Sequence, residues 1–248
     1  MRDVATTEAI PKLKQAALTE DREVSSSARL ALHRLDPGEF NEITDALADL
    51  DSTRGFAAKE ALVRLARTKP VDKYRASVVD KAMKLLTDRN GFLTAQPAGD
   101  VLLAWANDPK IVPDLLPLLA EHGDMQQRHV AMHVLARLKD KRGVTPIVRW
   151  LLQDGDAAVA ALREMGPMVE SEVAVHLLDK QAAARTNAAR VLESVGTFKS
   201  YESLVHAAHD QRDAAAREVA RAALDAVKAR AVAAAAAAAA TRPAKPAP

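Results

Sequence analysis

The chain has 248 residues, of which 48% are hydrophobic but only 3% aromatic, and alanine and leucine dominate the hydrophobic set, which favours helices over strands. The absence of cysteine excludes disulfides and thiolate metal sites. The formal net charge is +2, and Arg242 and Lys245 near the end of the chain account for both charges. We therefore do not expect a nucleic-acid-binding surface, which would need an excess of Lys and Arg.

Two types of amphipathic segment alternate along the chain from its beginning. Segments of the first type carry apolar residues at helical spacing, as at Ile10, Leu13 and Ala17. Segments of the second type share the pattern Ala-x-x-(Ala or Val)-Leu-x-x-apolar. Copies of this pattern begin at Ala28, Ala58, Ala98, Ala131, Ala158, Ala188 and Ala220. The four apolar places form one stripe of a helix, and the constant alanine suits a close approach of two helices.

The pattern recurs about every 30 residues, a period that is typical of helical solenoids. Each repeat pairs a first-type helix with a second-type helix. The predicted units have bounds near 7–36, 38–70, 71–108, 109–140, 141–166, 167–196 and 197–230. We predict an all-α fold, a right-handed α–α superhelix of about seven helix pairs over residues 1–230. Residues 231–248 are predicted to be an alanine-rich helical extension followed by a disordered, proline-rich tail.

The pattern resembles the HEAT repeat family, including the short HEAT-like repeats of phycobilisome lyases. The resemblance covers residues 5–230 and extends to an Asp and an Arg near the start of the second helix. These marks occur at Asp21, Asp51, Asp124 with Arg128, Arg185 alone, and Asp213 with Arg217, while the fifth unit has neither. The resemblance implies a fold and not an activity, because proteins built from these repeats do many unrelated things.

Two histidines four residues apart, His129 and His133, lie on one face of a predicted helix, where they can share a metal ion. They flank the core stripe of the fourth repeat, and Val130 stands where a zinc-protease motif needs Glu. A third ligand would have to come from His122 or Asp124. We interpret both histidines as solvated or groove-facing side chains and predict no metal and no cofactor.

Enzymes with HEAT-like repeats provide the alternative function. Deoxyhypusine hydroxylases hold two irons with His-Glu pairs, and no His-Glu dipeptide occurs in this chain. HEAT-like DNA glycosylases place Trp and Asp in a basic groove; Trp105 with Asp108 is the comparable pair, but Trp105 occupies a core place of its repeat. We predict a protein that is not an enzyme, with a lyase-like or glycosylase-like enzyme or accessory as the alternative.

A superhelix of helix pairs usually lines its concave side with the second helices. On those helices, the second, third, sixth and seventh places of the pattern face away from the core. In the first two units these places include Arg29, Leu30, His33, Arg34, Lys59 and Glu60. In the middle of the chain they are unusually apolar with a charged edge, which often marks a protein interface.

The predicted partner-binding residues are Val63, Arg64, Leu103, Met132, His133, Ala136, Arg137 and Arg163. The alternative is that these side chains pack on neighbouring repeats or pair with acidic residues. We predict a non-catalytic scaffold or adaptor that binds a protein partner of unknown identity on its concave face. The first unit lacks a polar cap helix, so we also expect a homodimer that forms through the N-terminal face. The alternative is that the chain is cut from a longer protein.

The long third unit contains an insertion between its two helices, from Asp88 to Pro97. Phe92 and Leu93 are two large apolar residues in this loop, and we consider them a candidate contact site. The alternative is that they fold back over the helix ends. No apolar run outside the alanine tract is long enough to cross a membrane, so we expect a cytoplasmic protein.

Overall fold

The computed structural model describes residues 4–19, 21–51, 55–88, 93–120 and 123–240. Within these ranges the secondary structure is helical and no strand occurs. The helices pack in neighbouring pairs, which confirms the all-α, HEAT-like solenoid that the repeat predicts. The chain divides into two compact units, Met1–Ala106 and Asn107–Pro248.

The first unit consists of three pairs of α-helices. They are α1 (Val4–Ala17) with α2 (Arg22–Leu35), α3 (Glu42–Leu50) with α4 (Gly55–Arg67), and α5 (Asp72–Thr87) with α6 (Ala95–Trp105). Asp21 caps α2, because its carboxylate accepts hydrogen bonds from the amides of Glu23 and Val24. Asn41 and Thr44 form a reciprocal capping box at the start of α3.

The second unit alternates short first helices with longer second helices. The helices are α7 (Val112–Leu115), α8 (Met125–Leu138), α9 (Val144–Val148), α10 (Gly155–Met165), α11 (Glu170–Val175), α12 (Ala182–Val195), α13 (Tyr201–Ala208) and α14 (Ala214–Ala240). Turns of 3₁₀-helix flank the short ones. Pro113, Pro117, Pro146 and Pro167 lie in these segments, and each lacks the amide that a regular α-turn requires. The second helices stack in order, α8 on α10, α10 on α12 and α12 on α14.

The core consists of the residues that the repeat pattern places there. The constant alanine is at most 4% exposed in all seven copies, which confirms that two helices meet at this place. Trp105, at the last place of the third copy, is fully buried and donates its indole N–H to the carbonyl of Leu65 at 2.8 Å. Leu35, at the same place of the first copy, is exposed. Leu138, the last place of the fourth copy, is half-buried, so the last place of the pattern varies while the constant alanine does not.

The last helix, α14, continues past Arg230 to Ala240. Arg230 reaches from this helix to the C-terminal end of α12 and donates to the carbonyls of Leu192, Glu193 and Gly196. None of the helices in the described ranges combines the length and the apolar character that a bilayer crossing requires. The predicted disordered tail, 241–248, lies outside the described residues.

Candidate partner-binding site

Two of the predicted partner-binding residues are fully buried. Met132 and Ala136 have no exposed surface, so their predicted place in an open apolar patch is wrong. The physical reason is that α8 is surrounded by protein on nearly all sides, as the burial of Val130, Val134 and Leu135 on its other faces also shows. On such a helix an apolar residue outside the core stripe belongs to the core as well.

The other predicted residues differ in exposure and in their partners. Val63, Leu103 and His133 are half-buried, and Arg137 is exposed. Arg64 forms an ion pair, described below, with Asp49. Arg163 donates through Nε and Nη2 to the carbonyl oxygen of Arg190, at 3.0 and 2.7 Å, and so ties α10 to α12. Partner binding by these six residues stays a prediction.

The loop between α5 and α6 is described only in part. Phe92 lies outside the described residues, whereas Leu93 is described and 44% exposed. Next to it, Thr94 is buried and donates its hydroxyl to the carbonyl of Leu85 at 3.3 Å. The loop thus returns to the helix pair directly after Leu93, and its role in a contact stays a prediction.

A cleft of about 810 Å³ opens in the first unit between α2 and α4. In this unit α4 packs against α6, whereas α2 packs against α1, and the space between α2 and α4 is the cleft. Its lining residues are Thr19, Ser25, Ser26, Arg29, Leu30, His33, Asp45, Asp49, Phe56, Ala57, Glu60 and Arg64. We call this site the α2–α4 cleft. It contains many of the second-helix positions that the sequence predicts to face away from the core.

Asp49 of α3 joins the two sides of the α2–α4 cleft. Its carboxylate accepts two hydrogen bonds from Arg29 of α2, at 2.9 and 2.5 Å, and another from Arg64 of α4. Burial raises the pKa of Asp49, but the hydrogen bonds and charges of the two arginines outweigh burial and lower the pKa below its usual range. The same hydrogen bonds raise the pKa of Arg29. Both guanidinium groups are thereby held against one carboxylate, and they favour its ionised form.

The remaining side chains of the cleft supply a hydrogen-bonded pair, Asp45 with His33, and exposed apolar surface. Asp45 lies 2.9 Å from Nε2 of His33. Leu30 on α2 is 52% exposed, and Phe56 on α4 is 62% exposed. Large side chains are exposed at such levels singly on many surfaces, but here two of them line one cavity together with charged groups. This arrangement suits the recognition of another chain.

The histidine pair on α8 does not assemble a metal site among the described residues. The Nε2 atom of His129 lies 3.6 Å from Asp154, whose carboxylate already pairs with Arg128. Within the described ranges, no group of three or more His, Asp or Glu side chains has an arrangement that holds a metal ion. His122, one of the two candidate third ligands, lies outside those ranges.

Sequence reasoning missed a buried carboxylate in the second unit. Glu170 is 3% exposed and accepts hydrogen bonds from the amide and hydroxyl of Thr197, at 2.6 and 2.7 Å, and from the amide of Ser200 at 2.9 Å. Burial raises the pKa of Glu170, but these hydrogen bonds outweigh it and lower the pKa. The carboxylate thus caps the first turns of the next repeat. No spacing rule in the sequence identifies it, because its partners are 27 and 30 residues away.

Comparisons with known proteins support the fold and go no further. No family model matches the chain, and no curated protein matches it. An engineered protein of known structure is 19% identical with a TM-score of 0.50, and the alignment covers 77% of this chain and 98% of that one. A designed armadillo repeat protein is 16% identical with a TM-score of 0.43, covering 75% and 99%. Human deoxyhypusine hydroxylase in complex with glycerol is 18% identical with a TM-score of 0.37, covering 96% and 92%.

The first of these similarities is at a level that concerns the fold alone, and the other two are too weak to support an argument. The chain therefore has a HEAT-like helical repeat fold. Its resemblance to phycobilisome lyases rests on the sequence pattern only.

Proposed function

We propose that the chain is a non-catalytic scaffold that binds a segment of a partner protein in the α2–α4 cleft. The observation that carries this proposal is the gap between two second helices at a point where the repeat pattern would otherwise stack them. The gap has a volume of about 810 Å³ and contains exposed Leu30 and Phe56. Cavities of this size accommodate several side chains of a ligand.

The polar groups of the cleft support recognition in preference to bond chemistry. Asp49 is engaged by two arginines and Asp45 by His33, so these five side chains are held in two fixed groups. A general base needs a free lone pair within reach of a substrate proton, and Asp49 is held by hydrogen bonds from both arginines instead. A prearranged set of charges around exposed apolar side chains is typical of a protein interface.

Site-specific photo-crosslinking tests the proposal directly. A benzophenone-bearing amino acid is placed at Phe56, and a matched one at Phe198, which is also strongly exposed but lies in the second unit. We expect irradiation in cells that express the chain to yield one defined covalent product from position 56. A Leu30→Ser change should reduce that product several-fold, because it removes apolar surface opposite the crosslinker without disturbing the core.

The controls separate this site from the surface that the sequence predicts. A Val175→Ser variant removes an even more exposed apolar side chain, which lies in the second unit, and should leave the product unchanged. A Leu103→Asp, Arg137→Glu double variant tests the predicted patch. Loss of the product in the double variant but not in Leu30→Ser would contradict the cleft as the partner site, provided that circular dichroism shows both variants to be folded.

A further inference from the structure

In the α2–α4 cleft the carboxylates outnumber the guanidinium groups by one. Three carboxylates (Asp45, Asp49 and Glu60) line the cleft with two guanidinium groups, so one negative charge is uncompensated while His33 is neutral. Both guanidinium groups bind Asp49. In contrast, no ion pair or hydrogen bond joins the side chain of Glu60 to any residue that the structure describes.

The partner of Arg64 explains why Glu60 is the carboxylate without a pair. Glu60 precedes Arg64 by four residues on α4, which is the favourable spacing and order for an ion pair along a helix. Arg64 turns instead to Asp49 of α3. An acidic ligand would have to compete with Asp49 for both arginines, whereas a cationic ligand finds Glu60 unoccupied.

Phe56 provides a second surface for a cation. It precedes Glu60 by four residues, so ring and carboxylate lie one above the other on the same face of α4. The ring is 62% exposed, and none of the lysines or arginines in the described ranges lies over it. The face of an aromatic ring attracts ammonium and guanidinium groups, and a neighbouring carboxylate adds a charge-assisted hydrogen bond. Leu30 adds apolar surface from the α2 side.

We infer that the partner segment is a cationic, apolar peptide, with a lysine or arginine that binds Glu60 and lies over Phe56 and an adjacent large apolar side chain that packs on Leu30. This inference rests on the proposed function and names the chemistry of the partner. Charge complementarity to Glu60 selects a basic segment over an acidic one. The two apolar side chains select a peptide over a free cation.

Two fluorescent peptides test the inference on the full chain. The first alternates leucine with lysine and arginine, and the second is identical except that glutamate replaces each basic residue. Fluorescence anisotropy gives the dissociation constants at moderate salt. We expect the basic peptide to bind and Glu60→Gln to weaken it by about twofold to fivefold, the upper part of the range of an exposed ion pair. Phe56→Leu, which keeps apolar surface but removes the aromatic face, should weaken it by a comparable factor.

Glu164→Gln is the matched control, because Glu164 is an exposed helical carboxylate of the second unit for which the described residues provide no ion-pair partner. It should leave the affinity unchanged. Equal weakening by Glu60→Gln and Glu164→Gln would mean that the peptide senses overall charge, and the inference would be wrong. Tighter binding of the acidic peptide, or no binding of the basic one at millimolar concentration, would also overturn it.

Failure of this inference is distinguishable from failure of the proposed function. If the crosslink from position 56 forms but maps to an acidic segment, the scaffold function stands and the inferred partner chemistry is wrong. If the crosslink from position 56 does not depend on Leu30, the cleft is not the partner site and both are wrong.

Discussion

The two units of the chain connect their repeats in different ways. In Asn107–Pro248 an arginine precedes the constant alanine by three residues in three of the four second helices: Arg128, Arg185 and Arg217. Each donates to a backbone carbonyl of the loop before its own helix. In Met1–Ala106 the same place holds Ser25, Gly55 and Ala95. The arginine ion pairs between different helices of this unit, Arg29 and Arg64 with Asp49, lie in the α2–α4 cleft instead.

The arginines of the second unit also reach the next repeat. Arg128 donates to Asp154 at 2.5 Å and stacks on Trp150, with Cζ 3.9 Å from the ring centre. Arg185 lies 3.7 Å from Asp210. One side chain thus satisfies its own loop and pairs with the loop of its neighbour. In the first unit the corresponding long-range pairing, Arg29 with Asp49, spans an open cavity. The same ion-pair chemistry therefore closes the stack in one unit and lines the open α2–α4 cleft in the other.

The largest difference between the units should appear when these arginines are removed. Arg128→Ala leaves the largely enclosed carboxylate of Asp154 without its main partner, and breaking a pair of this kind costs up to about 3–5 kcal/mol when it is fully buried. Arg29→Ala should cost about 1 kcal/mol, because its more exposed pair is screened by water and Asp49 retains Arg64. Urea unfolding followed by circular dichroism gives both values, and hydrogen exchange with mass spectrometry assigns each loss to its unit. Equal costs would contradict the comparison.

The buried carboxylate of the second unit should give the next largest effect. Glu170→Ala leaves two backbone amides and a hydroxyl of the next repeat without their acceptor, which should destabilise the chain by about 2 kcal/mol. Glu172→Ala, two residues away on the same helix and exposed, removes only a hydrogen bond from Thr145 and should cost less than about 1 kcal/mol. If both variants unfold at the same urea concentration, Glu170 does not stabilise the junction between the last two repeats.

Gly155 stands in the fifth repeat where the other second helices of this unit have an arginine. Whether its replacement raises or lowers the stability of the chain should depend on Asn187. Asn187 of α12 donates to the carbonyl of Leu151 at 2.7 Å and so serves the loop that lacks an arginine. A Cβ at Gly155 would overlap the Asn187 amide. We expect Gly155→Ala to destabilise the chain by about 1 kcal/mol, because the added methyl group displaces Asn187 from its hydrogen bond with Leu151. In an Asn187→Ala background the same change should stabilise by up to about 1 kcal/mol, because alanine favours helix.

A double-mutant cycle of thermal or urea unfolding measures this sign change. Additive effects in the double variant would mean that Gly155 and Asn187 do not interact, and the glycine would then need another explanation. The cycle also tests whether the fifth repeat, which lacks the Asp and Arg marks of the family, is held by an asparagine from its neighbour.

The sequence predicts the helix pairs well because burial depends on a local property. A helix with alanine and leucine at fixed places has one apolar stripe, and packing that stripe is enough to place Ala131, Leu162 or Val191 in the core. The same rule fails at Met132 and Ala136, since it assumes that the opposite side of the helix is in water. Whether a second face is also covered depends on tertiary neighbours, which the pattern of one helix does not contain.

The candidate site could be predicted only in part. The outward places of α2 and α4 were identified from periodicity, including Leu30, Glu60 and Arg64. Asp49 was missed, because it belongs to a first helix and pairs with residues 20 and 15 positions away. The gap between α2 and α4 was missed for a related reason. Helix separation is set by the packing of whole helices, and single-residue preferences do not report it.

The smallest expected effect concerns the stability of the chain at acid pH. It tests a feature that both units have, a carboxylate whose pKa is lowered by neighbouring arginines. Hydrogen bonds from Arg212, with a smaller contribution from the charge of Arg185, lower the pKa of Asp210 to about 2 from its usual 3.8. A carboxyl with a lowered pKa in the folded state takes up its proton more readily when unfolded. Its stabilisation is therefore complete above pH 3.8 and is lost as the pH falls towards about 2.

Asp210→Asn should therefore be less stable than the wild type at neutral pH and approach it below pH 3.8, with a modest difference because Arg212 is half-exposed to water. Asp49→Asn should behave in the same direction in the first unit, since the pKa of Asp49 is also lowered. Urea unfolding across the acid range, with hydrogen exchange resolved by unit, compares the two. A constant difference between wild type and Asp210→Asn at all pH values would show that this carboxylate stabilises the chain by its shape and hydrogen bonds, and not by its ionisation.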